Sequence, residues 1–217
     1  TRKSFIDGTT IFERVLPGAD RMYPDTDSAP IPLDSDYIER IQQNLPEDII
    51  DRINQMKEWG IPQSVYTYLL RKNLYPLLSR LIRELDVPPT MAGKFLGQKL
   101  KHTEGHYQSA DRFDFKTIFD MFAFLKEQDI KFELAFDMIA EFYSHPKMDF
   151  QSVLDSIRFK KLPADAILDQ IHFYQTKFVN IGRKQDNKTR KLWIMGQLRK
   201  AATGNIDLSE LASKINA

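Results

Sequence analysis

The chain has 217 residues, 42% apolar and 28% charged, a balance that excludes an intrinsically disordered protein and gives length for one or two cored domains. It holds no cysteine, which excludes disulfides, thiol catalysis and cysteine-ligated zinc. Its net charge of +1 conceals opposite ends: ten acidic against four basic side chains from Asp20 to Gly60, and eight basic against one acidic from Lys177 to Gly204.

Residues 1–35 carry few helical signals. Asp7-Gly8 is a turn pair, and Thr9 to Phe12 reads as a short strand. Pro17-Gly18 is a second turn, and Pro24, Pro30 and Pro32 enforce extended backbone. From Ser35 the period changes: Ile38, Ile41, Leu45, Ile49, Ile53 and Met56 recur at helical spacing. Pro46 is expected at the first position of a second helical piece, closed by Trp59-Gly60. Pro62 opens another helix. Leu74 to Leu85 carries a full apolar stripe, and Pro88-Pro89 starts a helix through Leu100. Residues 101–113 are polar and predict a loop. Asp114 to Gln128 and Phe132 to Tyr143 read as a helix pair, broken by Ser144-His145-Pro146-Lys147. A short helix from Asp149 to Phe159 follows, then one from Pro163 to about Val179. After a polar turn, Asp186 or Asn187 caps a helix that stops at Gly204, and Asp207 to Glu210 resembles a capping box for the last one. The fold class is all-α: a helical bundle followed by a smaller helical domain, with a short irregular or β lead-in.

Several residue groups are candidates for chemistry. His102, Glu104 and His106 could hold zinc on a strand or a helix if another group completed the site, but two histidines in a polar loop are ordinarily solvated, and no metal site is expected. Asp25 and Asp27 read as turn carboxylates. Gly93 and Gly97, four apart, permit close helix packing. The C-terminal basic stretch is more specific. Lys184, Lys188, Arg190 and Lys191 crowd the polar turn and helix start, Arg199 and Lys200 lie near the helix end, Gly196 leaves room for a neighbouring backbone, and Thr203-Gly204-Asn205 offers backbone amides. That pattern suits phosphate binding on a single cationic side, with Trp193 or Tyr174 available to stack on an unpaired base. No catalytic or metal-binding residues are assigned.

Two strings carry a resemblance. Asp7-Gly-Thr-Thr10 and Leu16-Pro-Gly-Ala-Asp-Arg-Met-Tyr-Pro-Asp-Thr-Asp27 resemble the GatB/GatE family, the tRNA-binding subunits of tRNA-dependent amidotransferases, and look most like the GatE branch, that of glutamyl-tRNA(Gln) amidotransferase. Met195-Gly-Gln-Leu-Arg-Lys-Ala-Ala-Thr-Gly204, with Ile206-Asp207, resembles the end of the YqeY-type domain that closes both branches. Arg199 stands where the family usually has Met, and Asp186-Asn-Lys188 replaces its usual Gly-Lys turn.

The resemblance implies a division of labour. An upstream cradle uses ATP and magnesium to phosphorylate the glutamate of mischarged Glu-tRNA(Gln) and converts it to the amide. A helical domain and the YqeY-type domain grip the tRNA elbow at the D-loop. Residues 1–35 are then the end of the cradle and a linker, 36–147 the helical tail domain, and 148–217 the YqeY-like domain. The chain, which starts at Thr1 rather than Met, is expected to be a cut piece of a cytoplasmic protein, with no cofactor of its own and no activity alone. Its expected partners are tRNA and, through the cradle, an amidase of the D or A type, with neither membrane nor DNA. The alternative is a helical scaffold that docks on proteins without binding RNA, predicting an apolar rather than a basic patch.

Overall fold

The computed structural model describes residues 2–13, 32–179 and 186–216. They fall into two compact units, Thr1–Pro46 and Glu47–Ala217. The Leu16–Asp27 string, with Asp25 and Asp27, lies outside the described residues.

In the first unit, β1 (Arg2–Ser4) and β2 (Thr10–Phe12) pair antiparallel, with Lys3 opposite Ile11. The turn between them depends on Asp7, whose carboxylate accepts from the Thr9 amide at 2.9 Å and the Thr9 hydroxyl at 2.7 Å. Gly8 takes a φ of +81°, which a residue with a side chain adopts only at a cost. Helix α1 (Ser35–Gln43) starts where the Asp34 side chain accepts from the Tyr37 amide at 2.6 Å. Its apolar residues, Tyr37, Ile38 and Ile41, are exposed.

Among the described residues the second unit is built of helices joined by turns, with no strand. Helix α2 (Ile49–Glu58) begins later than Pro46 predicts, because Asp48 supplies the cap, accepting from the Ile50 amide at 2.7 Å. A 3₁₀ turn (Gln63–Val65) leads into α3 (Tyr66–Arg71), and α4 (Tyr75–Leu85) carries the predicted stripe, with Leu78, Leu81 and Leu85 buried. Helix α5 (Pro89–Lys94) runs through a π-helical segment (Phe95–Leu100) into α6 (Lys101–His106). The first half of the expected polar loop is therefore helix. The aromatic pair α7 (Thr117–Glu127) and α8 (Ala135–Ser144) follows, then α9 (Phe150–Ser156).

These helices enclose one core centred on Phe95, which meets Phe122 edge-on at 5.0 Å and Phe136 at 5.3 Å. The two glycines of this helix do permit a close approach. A β-carbon on Gly93 would fall 2.6 Å from Ile61, and one on Gly97 would overlap Val65.

Helices α10 (Ala164–Leu168), α11 (Gln170–Val179), α12 (Asn187–Ala202) and α13 (Leu208–Asn216) enclose a second, smaller core around Ile167, Ile194, Leu198, Ile206, Leu211 and Ile215. The two cores meet along a seam. The Gly204 carbonyl accepts from the Lys131 amide at 2.8 Å. The Asn205 side chain takes the Leu162 amide and donates to the carbonyls of Lys160 and Ala201, each at 2.9 Å. Gly204 has a φ of +86°, and a β-carbon there would stand 2.8 Å from Phe159.

Candidate nucleic-acid interface

Helix α12 is the scaffold of the candidate site, and its start is fixed locally. The Asp186 carboxylate accepts from the Thr189 amide at 2.9 Å and the Thr189 hydroxyl at 2.7 Å. Those two bonds, the amide first, hold its carboxyl below the usual range. The helix buries Ile194, Leu198 and Ala202, and this face sets where every cation points.

At about 100° per residue, Lys188, Lys191 and Arg199 share one flank, within roughly 80° of arc. Arg190 and Lys200 fall on the other flank. The five residues are thus divided by the helix rather than gathered on one side. In projection Ile194 and Leu198 come between Arg190 and Lys191, Lys191 comes between Leu198 and Ala202, and about 100° separates Arg199 from Lys200. Lys184 lies outside the described residues. None of the five side chains pairs with a carboxylate among the described residues.

Each flank borders a depression. On the first, Lys191 and Arg199 edge a groove of about 440 Å³ with a floor of Leu192, Met195, Leu208 and Ala212. Gly196 opens onto this groove, and no neighbouring atom comes within 4 Å of a β-carbon placed there. It therefore makes none of the close backbone contact expected of it. On the second flank, Lys200 enters a cleft of about 540 Å³ at the seam between the cores. Arg158 and Lys160 supply its other cations, Asp137 its one carboxylate, and Tyr174 and Gln197 line it beside them.

The amides at the end of α12 are largely committed. Thr203 donates to Arg199, and Asn205 and Ile206 both donate to Ala202, at 2.8–3.0 Å. They cap the helix and are not available to phosphate, contrary to the expectation.

Arg158 and Lys160 were not among the predicted residues. Their signal is present as Arg158-Phe-Lys-Lys161, three cations in four residues, but only tertiary packing brings them to Lys200. Arg158 has a φ of +57° and ends α9 in a Schellman motif: its amide reaches Asp155, and that of Phe159 reaches Leu154. Glycine is the usual occupant of that position. The other non-glycine residues in this conformation, among those described, are Asn73, Asp86 and Asp129.

The histidine cluster takes another form. His102 and His106 share a face of α6 with rings stacked at 3.9 Å. Glu104 turns away, bonding the Tyr68 hydroxyl and meeting Lys72 at 3.1 Å. Burial first, and this hydrogen bond second, push the Tyr68 hydroxyl well above its ordinary range. Among the described residues no group of three or more His, Asp or Glu could hold a metal ion.

Comparison with known proteins gives a consistent family. The chain is 28% identical over 223 residues to the E subunit of glutamyl-tRNA(Gln) amidotransferase from Methanococcus vannielii, covering 99% of this chain and 35% of that relative. The corresponding protein of Saccharolobus solfataricus is 21% identical over 99% of this chain and 34% of its own length. That of Pyrococcus furiosus is 37% identical over 46% of this chain and 16% of its own length. Along its whole length the chain is similar to GatE subunits. It spans about a third of the length of the GatE relatives that it matches end to end. No family model and no solved structure matches it. GatE character thus rests on sequence across the whole chain, including the stretch that forms α12. Among the described residues, no helix is long and apolar enough to cross a membrane.

Proposed function

We propose that this chain is the RNA-gripping tail of a glutamyl-tRNA(Gln) amidotransferase, in which residues 36–147 and 148–217 form a helical domain and a YqeY-like domain behind the end of a cradle. The observation that carries this reading is the coincidence of two facts. The chain aligns with a GatE relative along 99% of its length. Its α12 also carries Lys188, Lys191 and Arg199 along one flank with no acidic partner among the described residues.

The mechanism is positioning. Cations along α12 contact phosphates at the tRNA elbow, and shape selects the molecule. Holding the tRNA body presents its acceptor end to the cradle, where ATP and magnesium would act and an amidase would supply ammonia. No step of that reaction is assigned to residues of this chain, and the setting is the cytoplasm.

The experiment is a titration of the chain with tRNA at several salt concentrations. Replacing Lys188, Lys191 and Arg199 together by Gln is expected to weaken binding at least tenfold and to flatten the salt slope by about two units. Unchanged affinity and slope would refute the reading. A second reading, a protein-docking scaffold, is favoured by the apolar floor of Leu192, Met195, Leu208 and Ala212. It predicts no measurable RNA affinity in the wild-type chain at low salt.

A further inference from the structure

The seam cleft differs in character from the groove across the helix. The groove has an apolar floor with cations at its edge. The cleft has three cations, one carboxylate, the side-chain amides of Gln170 and Gln197 and the rings of Phe159 and Tyr174 on its walls. Its volume of about 540 Å³ is within the roughly 300–1,000 Å³ of pockets that hold small molecules. It is large enough for one nucleotide and far too small for a duplex. Tyr174 is half-buried, set edge-on to Trp193 at 6.0 Å and to Phe173 at 5.2 Å, so neighbouring rings hold its plane. Its hydroxyl has no hydrogen-bond partner among the described residues. Arg158 reaches the cleft from a backbone position that glycine would occupy with less strain. Neither its guanidinium nor the Lys200 ammonium meets a carboxylate among the described residues.

From this combination we infer that the cleft between the two cores receives a single unstacked nucleotide of the bound RNA, its base against Tyr174 and its phosphate on Arg158 and Lys200. The chemistry matches part by part. A flat ring with a free polar tip suits a base face, since every base presents a π surface. Guanidinium and ammonium groups suit a phosphate diester. Asp137 and Gln197 offer an acceptor and an amide to the edge of the base. A single-stranded loop can expose such a base, whereas an A-form helix keeps its bases stacked. The inference rests on the RNA-binding reading above and adds a second contact, on the opposite flank of α12.

Three variants of the full chain, titrated with a tRNA transcript at several salt concentrations, provide the test. Arg158→Gly removes the cation and relieves the backbone, so its melting temperature should equal or exceed that of the wild type. Its affinity is expected to fall about five- to tenfold, with the salt slope flattened by about one unit or slightly less. Tyr174→Leu should weaken binding fivefold or more with the slope unchanged, because stacking releases no counterions. Tyr174→Phe should bind as the wild type does. If Arg158→Gly leaves affinity and slope intact, or if Tyr174→Leu folds and binds normally, the nucleotide pocket is wrong. In that event a loss of binding on replacing Lys188, Lys191 and Arg199 would leave the broader reading standing. A wild-type chain with no affinity for tRNA would overturn both.

Discussion

Asp186, Asp149 and Asp207 do the same work at three helix starts: each carboxylate accepts backbone and hydroxyl hydrogen bonds from residues two or three positions on. In each case these bonds depress the carboxyl below its ordinary range, with the side-chain hydroxyl the larger cause for Asp149 and Asp207 and the backbone amide for Asp186. A depressed carboxyl stabilises the folded chain above the unfolded value and loses that contribution as pH falls through the folded one. Acidification below about pH 4 should therefore loosen these helix starts together, and circular dichroism on an acid titration would register it. Asp207→Ala should cost about 1 kcal/mol in denaturant unfolding and remove part of the acid sensitivity of α13. The caps at Asp186 and Asp207 were legible in the sequence because a cap is a local pattern of a few residues. Pro46 misled for the opposite reason: a proline tolerates the first helical turn without requiring it, and Asp48, two residues on, offers a carboxylate.

Helices show where one-dimensional reading stops. The stripe of α4, and α7 and α8 as a helix pair, were visible because burial repeats with the helical period. The distribution of cations on α12 was not, although it follows from the same geometry. Counting eight basic residues in a stretch says nothing of direction until the buried face is known, and Ile194, Leu198 and Ala202 fix that face. The loop expected at 101–113 starts only after His106, because its His, Glu and Gly residues look solvated while the π segment carries the helix on through them. The same continuous helix is pinned against the Ile61–Val65 stretch by its two glycines. Gly97→Ala would drive a methyl into Val65, an overpacking expected to cost about 1–3 kcal/mol. Val65→Ala on that background should recover part of the loss, and a double-mutant cycle measured by urea unfolding would show the coupling.

On the scale of the whole chain, what matters is how two cores are joined. One polar side chain, Asn205, makes three hydrogen bonds across and beside the seam, and Gly204 and Phe159 leave no space between them. Asn205→Ala would release the Leu162 amide and the Lys160 and Ala201 carbonyls from these three bonds, the first two to water. A cost of about 1–3 kcal/mol is expected, with calorimetry showing a broadened transition as the second core begins to melt on its own. The seam was illegible in the sequence because its partners lie more than forty residues apart, and Asn205 reads as a turn residue until its contacts are known. For the same reason the cleft beside it, with Arg158, Lys160 and Lys200, came from the folded chain and not from the basic stretch.

The π segment at 95–100 has a consequence of its own. A helix of this kind carries slack, a place where one residue can be lost while the backbone winds back to the common pitch. Such a shortening, at Lys99 for example, would leave the bearing of everything downstream nearly unchanged, because five residues at about 100° each sweep the same arc as six at the wider π pitch. Glu104 would keep Tyr68 and Lys72, and the stacked histidines would face as before. Six residues thus act as a take-up link, able to give up one without turning α6.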